Sequence, residues 1–249
     1  RVVPIPTSFD HGFTLRPQDL EQAITAKTKV LILNSPNNPS GNVLDGKTLD
    51  DLAAIVRKRE LIVLSDEVYD RMVFQGCFES IVTRPGMAEH TLVIKSCSKT
   101  YAMTGWRVGF AFGPSWLMPH VIKVVNYATT CVNTPGQRAA LAAMTMDQAP
   151  FTAMTESFKK RVDVVWNLLQ DIPGIRCHQP AGSFYLFPDI SSLSSDSTAF
   201  ALSLLEKERV LVIPGVAFGQ SGEGCVRIAC TVDEDRLREG MRRLKRFLQ

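Results

Sequence analysis

Short β-branched runs alternate with helix-period stretches through the first half of the chain, and this alternation restricts the fold more than any other feature. Val2 to Ile5, Val30 to Leu33, Leu61 to Ser65, Leu92 to Ile94 and Val108 to Phe112 read as strands. Pro17 to about Ala26 reads as a helix, with proline in the first turn, where its missing N–H costs nothing. A second helix runs from Thr48, as its cap, to about Glu60, burying Leu49, Leu52, Ile55 and Val56. Strands separated by helices imply βαβ units, and hence a mostly parallel sheet covered on both faces. From about Trp116 the pattern is mainly helical, with one long helix over 149–169 ahead of the Pro173-Gly174 break. Ile175 to Pro188 then reads as strand-turn-strand, Ser197 to Glu208 as a helix, and Val210 to Ile213 and Cys225 to Cys230 as strands. A last helix spans about 233–248, with Leu237, Met241, Leu244 and Leu248 on one face. The expected fold is α/β: a doubly wound part over residues 1–150 and a smaller α+β part over 151–249.

At 249 residues the chain has room for one large domain or two modest ones. Its 28 basic and 25 acidic side chains leave a net charge of +3, which gives no footprint for nucleic acid or an anionic membrane. Hydrophobic residues at 45% and charged residues at 21% exclude disorder or a coiled coil as a whole-chain description. No apolar run approaches the roughly 18 residues of a membrane span. Cys77, Cys97, Cys131, Cys177, Cys225 and Cys230 form no CxxC pair, and the four histidines form no HExxH, so reduced thiols in the cytoplasm are expected rather than a zinc site. The basic run at 242–246 reads as a solvated helix face. Gly219 to Gly224 lies between two strands and opens no helix, so it reads as a loop rather than a phosphate cradle.

Ligands of open parallel sheets bind beyond the carboxyl ends of the strands. Here the strand at 30–33 runs into Asn37-Asn38-Pro39, and the strand at 61–65 into Asp66-Glu67-Val68-Tyr69. The strand at 92–94 runs into Ser96-Cys97-Ser98-Lys99, with Arg107 eight residues after the lysine. An amine, a carboxylate, a phenol, an amide, hydroxyls and a guanidinium would meet at one rim. That set suits pyridoxal 5'-phosphate. The lysine amine can form the Schiff base, and the acid can keep the pyridine nitrogen protonated. Phenol and amide can hold the ring 3-oxygen, and hydroxyls with a bidentate arginine suit a phosphate.

The segment Ser96-Cys97-Ser98-Lys99-Thr100-Tyr101-Ala102-Met103-Thr104-Gly105-Trp106-Arg107-Val108-Gly109 resembles the cofactor-lysine segment of class I/II aminotransferases, which are fold type I pyridoxal-phosphate enzymes. Asn34-Ser35-Pro36-Asn37-Asn38-Pro39-Ser40-Gly41 and Ser65-Asp66-Glu67-Val68-Tyr69 resemble two further signatures of that family, in the same order. The resemblance implies that Lys99 is the Schiff-base lysine and the acid/base acting at the substrate α-carbon. It also implies that Asp66 pairs with the pyridinium nitrogen, that Tyr69 and Asn38 bind the 3-oxygen, and that Ser96, Ser98 and Arg107 hold the phosphate. Arg227, in Cys225-Val226-Arg227-Ile228, matches the arginine that clamps the substrate α-carboxylate, with Asn38 beside it.

The implied activity is transfer of an amino group between an aspartate-, aromatic- or alanine-like L-amino acid and a 2-oxo acid, by a homodimer in the full-length form. Alternatives are a lyase or synthase of the same fold, an inactive remnant, and an effector-sensing domain of a transcriptional regulator. The chain begins with Arg1 rather than Met, and family members are longer at the N-terminus. The resemblance therefore implies a portion of such an enzyme. It further implies that a strand is missing between 2–5 and 30–33, leaving a vacant slot in the sheet.

Overall fold

The computed structural model describes residues 1–249 and contains two sheets. In the first, β1 (Val30–Asn34), β2 (Ile62–Asp66), β3 (Thr91–Ser96) and β4 (Gly109–Phe112) lie in chain order. The first three strands are parallel and β4 is antiparallel to β3. The linker from β3 to β4 holds only a four-residue helix and a 3-10 turn, too little for the crossover that a parallel return requires. The expected strand at 108–112 therefore forms, but with reversed direction.

Helices α1 (Pro17–Ala23) and α2 (Gly46–Lys58) cover one face of this sheet. Leu49, Leu52, Ile55 and Val56 of α2 pack with Leu31, Leu33 and Val63, as their helical and strand periods require. The cap of α2 is Asp45 rather than Thr48: its Oδ1 accepts from the Thr48 backbone N–H at 2.7 Å. Aspartate three residues before that N–H is in the capping geometry, whereas Thr48 lies inside the first turn.

Two sequence expectations fail at β1. Val2 to Ile5 forms no strand. It faces β1 across a groove of about 1140 Å³, and Val2 and Val3 are exposed. An apolar run becomes a strand only where a neighbour supplies ladder hydrogen bonds. The second face of the sheet is also uncovered here, since Ile32 is 63% exposed. The groove lies where the resemblance implied a vacant slot.

After β3 come α3 (Cys97–Thr100), α4 (Met118–Ala128), α5 (Thr134–Thr145) and the long α6 (Ala149–Gln170). The C-terminal region adds β5 (Tyr185–Leu186), α7 (Ser197–Glu208), β6 (Ile213–Pro214), β7 (Val226–Ala229) and α8 (Glu234–Phe247). Its strands form an antiparallel sheet in the order β5-β7-β6. The expected strands at 175–188 and 210–213 shrink to β5, β6 and an isolated bridge between Arg176 and Asp189. Val162, Val165 and Leu169 of α6, Leu204 of α7 and Leu237, Met241 and Leu244 of α8 enclose this sheet in a core of their own. The basic residues near the end of α8 are drawn into surface ion pairs: Arg242 and Arg243 with Glu239, and Arg246 with Glu208.

The two parts meet along residues 72–74 and 181–183. Ser183 N–H donates to Met72 O at 2.8 Å, and Phe74 N–H to Ala181 O at 2.7 Å. Gly41, at φ +71°, seals the seam. A Cβ there would collide with Pro180 and would sit 2.8 Å from the Gly182 carbonyl, so both backbone angle and space call for glycine.

Candidate active site

The carboxyl ends of β1, β2 and β3 open onto the seam between the two parts. Beyond β1, Asn34 ties two neighbouring segments together. Its Nδ2 donates to Asp66 O at 3.1 Å, and its Oδ1 accepts from the Asn38 backbone N–H at 2.8 Å. Asn38 is thereby held against the end of β2. Beyond β3, Ser96 caps the single turn of α3, its Oγ accepting from the Ser98 N–H at 3.1 Å. That turn carries Lys99 half-buried toward the seam, with Nζ 5.6 Å from the centre of the Phe184 ring.

The C-terminal part supplies the opposite wall. Tyr69 O–H lies 3.2 Å from the Tyr185 hydroxyl, and the two rings and Phe184 pack edge to face. Arg227, on β7, donates from Nη1 to Asn38 Oδ1 at 2.8 Å. Its guanidinium lies between the rings of Tyr185 and Phe218, at 4.5 and 4.9 Å. Its Nε is buried without a hydrogen-bond partner. A buried N–H donor costs free energy until something accepts from it. Such a donor, on a guanidinium already fixed through Nη1, suits an oxyanion.

Burial pushes the Asp66 carboxyl above the usual carboxylate range, and one backbone N–H, from Val68 at 3.3 Å, only partly opposes this. A half-buried acid of this kind lacks a cation. Tyr69 is pushed strongly upward by burial and by its contact with Tyr185, so at neutral pH it is a phenol and a hydrogen-bond donor.

Contacts thus run from Asn38 to Arg227, from Arg227 to the Tyr185 ring, from Tyr185 to Tyr69, and from Tyr69 through the Phe184 ring to Lys99, with Asp66 tied through Asn34 to Asn38 and with Ser96 and Ser98 at the foot of α3. Arg107 stands apart. It is exposed, in a left-handed turn at φ +57°, and donates to Thr104 O at 3.1 Å. The backbone nevertheless brings it back toward Ser96, because Cys97 N–H donates to Val108 O at 3.1 Å and Ser96 pairs with Gly109. The sequence reading missed the aromatic wall of Phe184, Tyr185 and Phe218. Its only signal was the Pro180-Ala181-Gly182 turn running into a buried aromatic run.

Residues 1–244 match the family model for aminotransferase class I and II. The chain belongs to the class I and II aminotransferases. It is 38% identical over 251 aligned residues to an aromatic-amino-acid aminotransferase of Thermococcus litoralis and 38% identical to an aspartate aminotransferase of Pyrococcus abyssi. Each alignment covers 99% of this chain and 64% of the relative. The chain thus spans less than two thirds of the length of these relatives. The crystal structure of an aromatic aminotransferase from Pyrococcus horikoshii superposes with a TM-score of 0.95 at 39% identity, over 99% of this chain and 66% of that one. A Thermus thermophilus aspartate aminotransferase with maleate gives 0.92 at 34% identity, over 99% and 64%.

Class I and II aminotransferases depend on pyridoxal phosphate. The donor set of this aminotransferase chain fits that cofactor. Lys99 is a half-buried amine facing an aromatic ring, Asp66 is an acid lacking a cation, and Tyr69 is a neutral phenol. The orphaned Arg227 Nε is a further buried donor free to meet an anion.

Proposed function

We propose that this chain carries the cofactor-lysine and carboxylate-binding machinery of an aminotransferase that moves an amino group between an L-amino acid and a 2-oxo acid. The observation that carries the reading is the aromatic wall of Phe184 and Tyr185, which meets Lys99 and Tyr69 on one side and Arg227, held by Asn38, on the other. Two relatives named for aromatic amino acids and for aspartate support an aspartate- or aromatic-like substrate, and the alanine-like alternative rests on the sequence resemblance alone.

When bound, pyridoxal phosphate supplies an aldehyde that takes up an amine and a ring that accepts the electrons of a broken bond at the substrate α-carbon. Lys99 would hold the cofactor through Nζ and would move the proton at the substrate α-carbon. Asp66 holds a proton on the ring nitrogen, and in return gains the cation its half-buried carboxylate lacks. Tyr69 and Asn38 orient the ring through its 3-oxygen. Ser96, Ser98 and Arg107 would bind the phosphate. Arg227 binds the substrate carboxylate with Nε and Nη, and Asn38 fixes its angle. The Phe184 and Tyr185 rings exclude water from the amine.

In this reading residues 1–150 form the cofactor-binding domain and 151–249 the small domain, each with its own core. A homodimer is part of the proposal: α4 buries no residue and presents Val124 and Tyr127 at 67% and 86% exposure, an apolar face suited to a second copy. So is a cytoplasmic location, argued from six free cysteines. No helix is long and apolar enough to cross a membrane.

The test is titration with pyridoxal phosphate, borohydride reduction and mapping of the adduct. Saturable absorbance with the adduct on Lys99, lost in Lys99→Ala, is the expected result. An adduct on another lysine, or no saturable absorbance, overturns the reading.

A further inference from the structure

None of the roles above uses Glu67, yet it is a carboxylate buried at the rim. Burial alternates along β2 and the residues that follow, so Ser65 and Glu67 turn inward while Asp66 turns the other way. Glu67 is 2% exposed. Its Oε1 accepts from Ser65 Oγ at 3.0 Å and from Ser80 Oγ, and its Oε2 lies 3.2 Å from Lys95 Nζ. Lys95 also pairs with Asp70 Oδ2 at 2.6 Å and stands 5.3 Å from the Phe78 ring. Burial would lower the Lys95 pKa, but Asp70 and Glu67 outweigh it and hold the ammonium above its ordinary value.

One carboxylate therefore gathers three segments: β2 through Ser65, the loop after it through Ser80, and β3 through Lys95. Each borders groups of the candidate site. Glu67 sits between Asp66 and Tyr69, and Lys95 directly precedes Ser96. A buried carboxylate paired with a partly exposed ammonium is a poor source of stability, because apolar side chains would join two strands at lower desolvation cost. What it supplies instead is a fixed geometry and a fixed field.

We propose that Glu67 and Lys95 are positioning residues of the cofactor site, holding Asp66 at the end of β2 in register with Lys99 on α3, directly after β3, and setting the electrostatic field at both. The assignment rests on the cofactor reading given above. Neither residue touches the cofactor.

Glu67→Gln keeps the shape and an oxygen for Ser65 and Ser80 but removes the charge, and Lys95→Met keeps the length but removes the cation. The full chain, loaded with pyridoxal phosphate, is titrated with acid and base. The pH at which the bound cofactor's visible absorbance changes form is read alongside the thermal midpoint. Losing a negative charge disfavours a protonated cofactor, so that pH falls in Glu67→Gln and rises in Lys95→Met. Each shift is about half a pH unit, the size for one charge several ångströms away. Cofactor affinity drops about tenfold in each, as for loss of an outer partner of a ligand-holding group. The double variant, which restores charge balance, returns near the wild-type pH, and it supplies the comparison should Glu67→Gln alone fail to fold. Unchanged pH values, or shifts of the same sign accompanied by a lower thermal midpoint, overturn the proposal, since mere loosening gives no opposite signs. A wild-type chain that takes up no pyridoxal phosphate removes the cofactor reading, and this assignment with it. Uptake by the wild type with no opposed shifts removes this assignment alone.

Discussion

Asp66 shows how a binding group can oppose the stability of the chain that carries it. Its carboxyl is shifted above the ordinary carboxylate value because burial penalises the charge and a single N–H does not compensate. The folded pKa thus exceeds the unfolded one. Asp66 costs nothing at low pH, and its penalty grows as pH rises from the unfolded value through the folded one. Asp66→Asn is therefore expected to raise the thermal midpoint of the cofactor-free chain at neutral pH while weakening pyridoxal phosphate binding. Calorimetry of both forms, with and without cofactor, checks the pair of effects. A lower midpoint in the cofactor-free variant would show that the carboxylate is already satisfied.

At the scale of elements, α2 is the brace behind the site. It begins at the Asp45 cap and buries Leu52 completely against the sheet that ends in Asn34 and Asp66. Asp45→Ala leaves the Thr48 N–H without its side-chain acceptor and should cost about 1 kcal/mol. Leu52→Ala opens a cavity under β1 and β2 and should cost about 2–5 kcal/mol. Urea denaturation gives both numbers, and equal effects would contradict this division between a surface cap and a core contact. The seam depends on a different kind of element. Residues 181–183 pair with 72–74, so Phe184 and Tyr185 reach Lys99 and Tyr69 only because a short bridge crosses from one part to the other.

At the scale of the molecule, the exposed edge and face of β1 dominate. Ile32 is 63% exposed, Val30 is 48% exposed, and a groove of about 1140 Å³ separates the strand from residues 1–5. A flat apolar strand with an unpaired edge recruits other chains. The isolated 249-residue chain should associate with rising concentration, and Ile32→Lys should reduce that association without changing the far-ultraviolet circular dichroism. Light scattering across a concentration series measures it, and a variant that scatters as strongly as wild type would move the sticky surface elsewhere, to α4 first.

The local pattern determined what could be read without the fold. Short β-branched runs marked β1, β2 and β3, period-3.6 runs marked α2, α6, α7 and α8, and polar residues directly after three strands marked Asn38, Asp66 and Lys99. These signals are local because strand propensity, helix faces and strand ends are set by residues a few positions apart. The tertiary structure decided the rest. Whether Val2 to Ile5 became a strand depended on a hydrogen-bonding neighbour, and the direction of β4 depended on the length of its linker. The meeting of Arg227 with Asn38, of Tyr69 with Tyr185, and of Glu67 with Ser80 and Lys95 joins residues 13 to 189 positions apart. No periodicity encodes such pairs. They follow from the packing of two sheets against one seam, where buried charges and donors must find partners wherever the chain brings them.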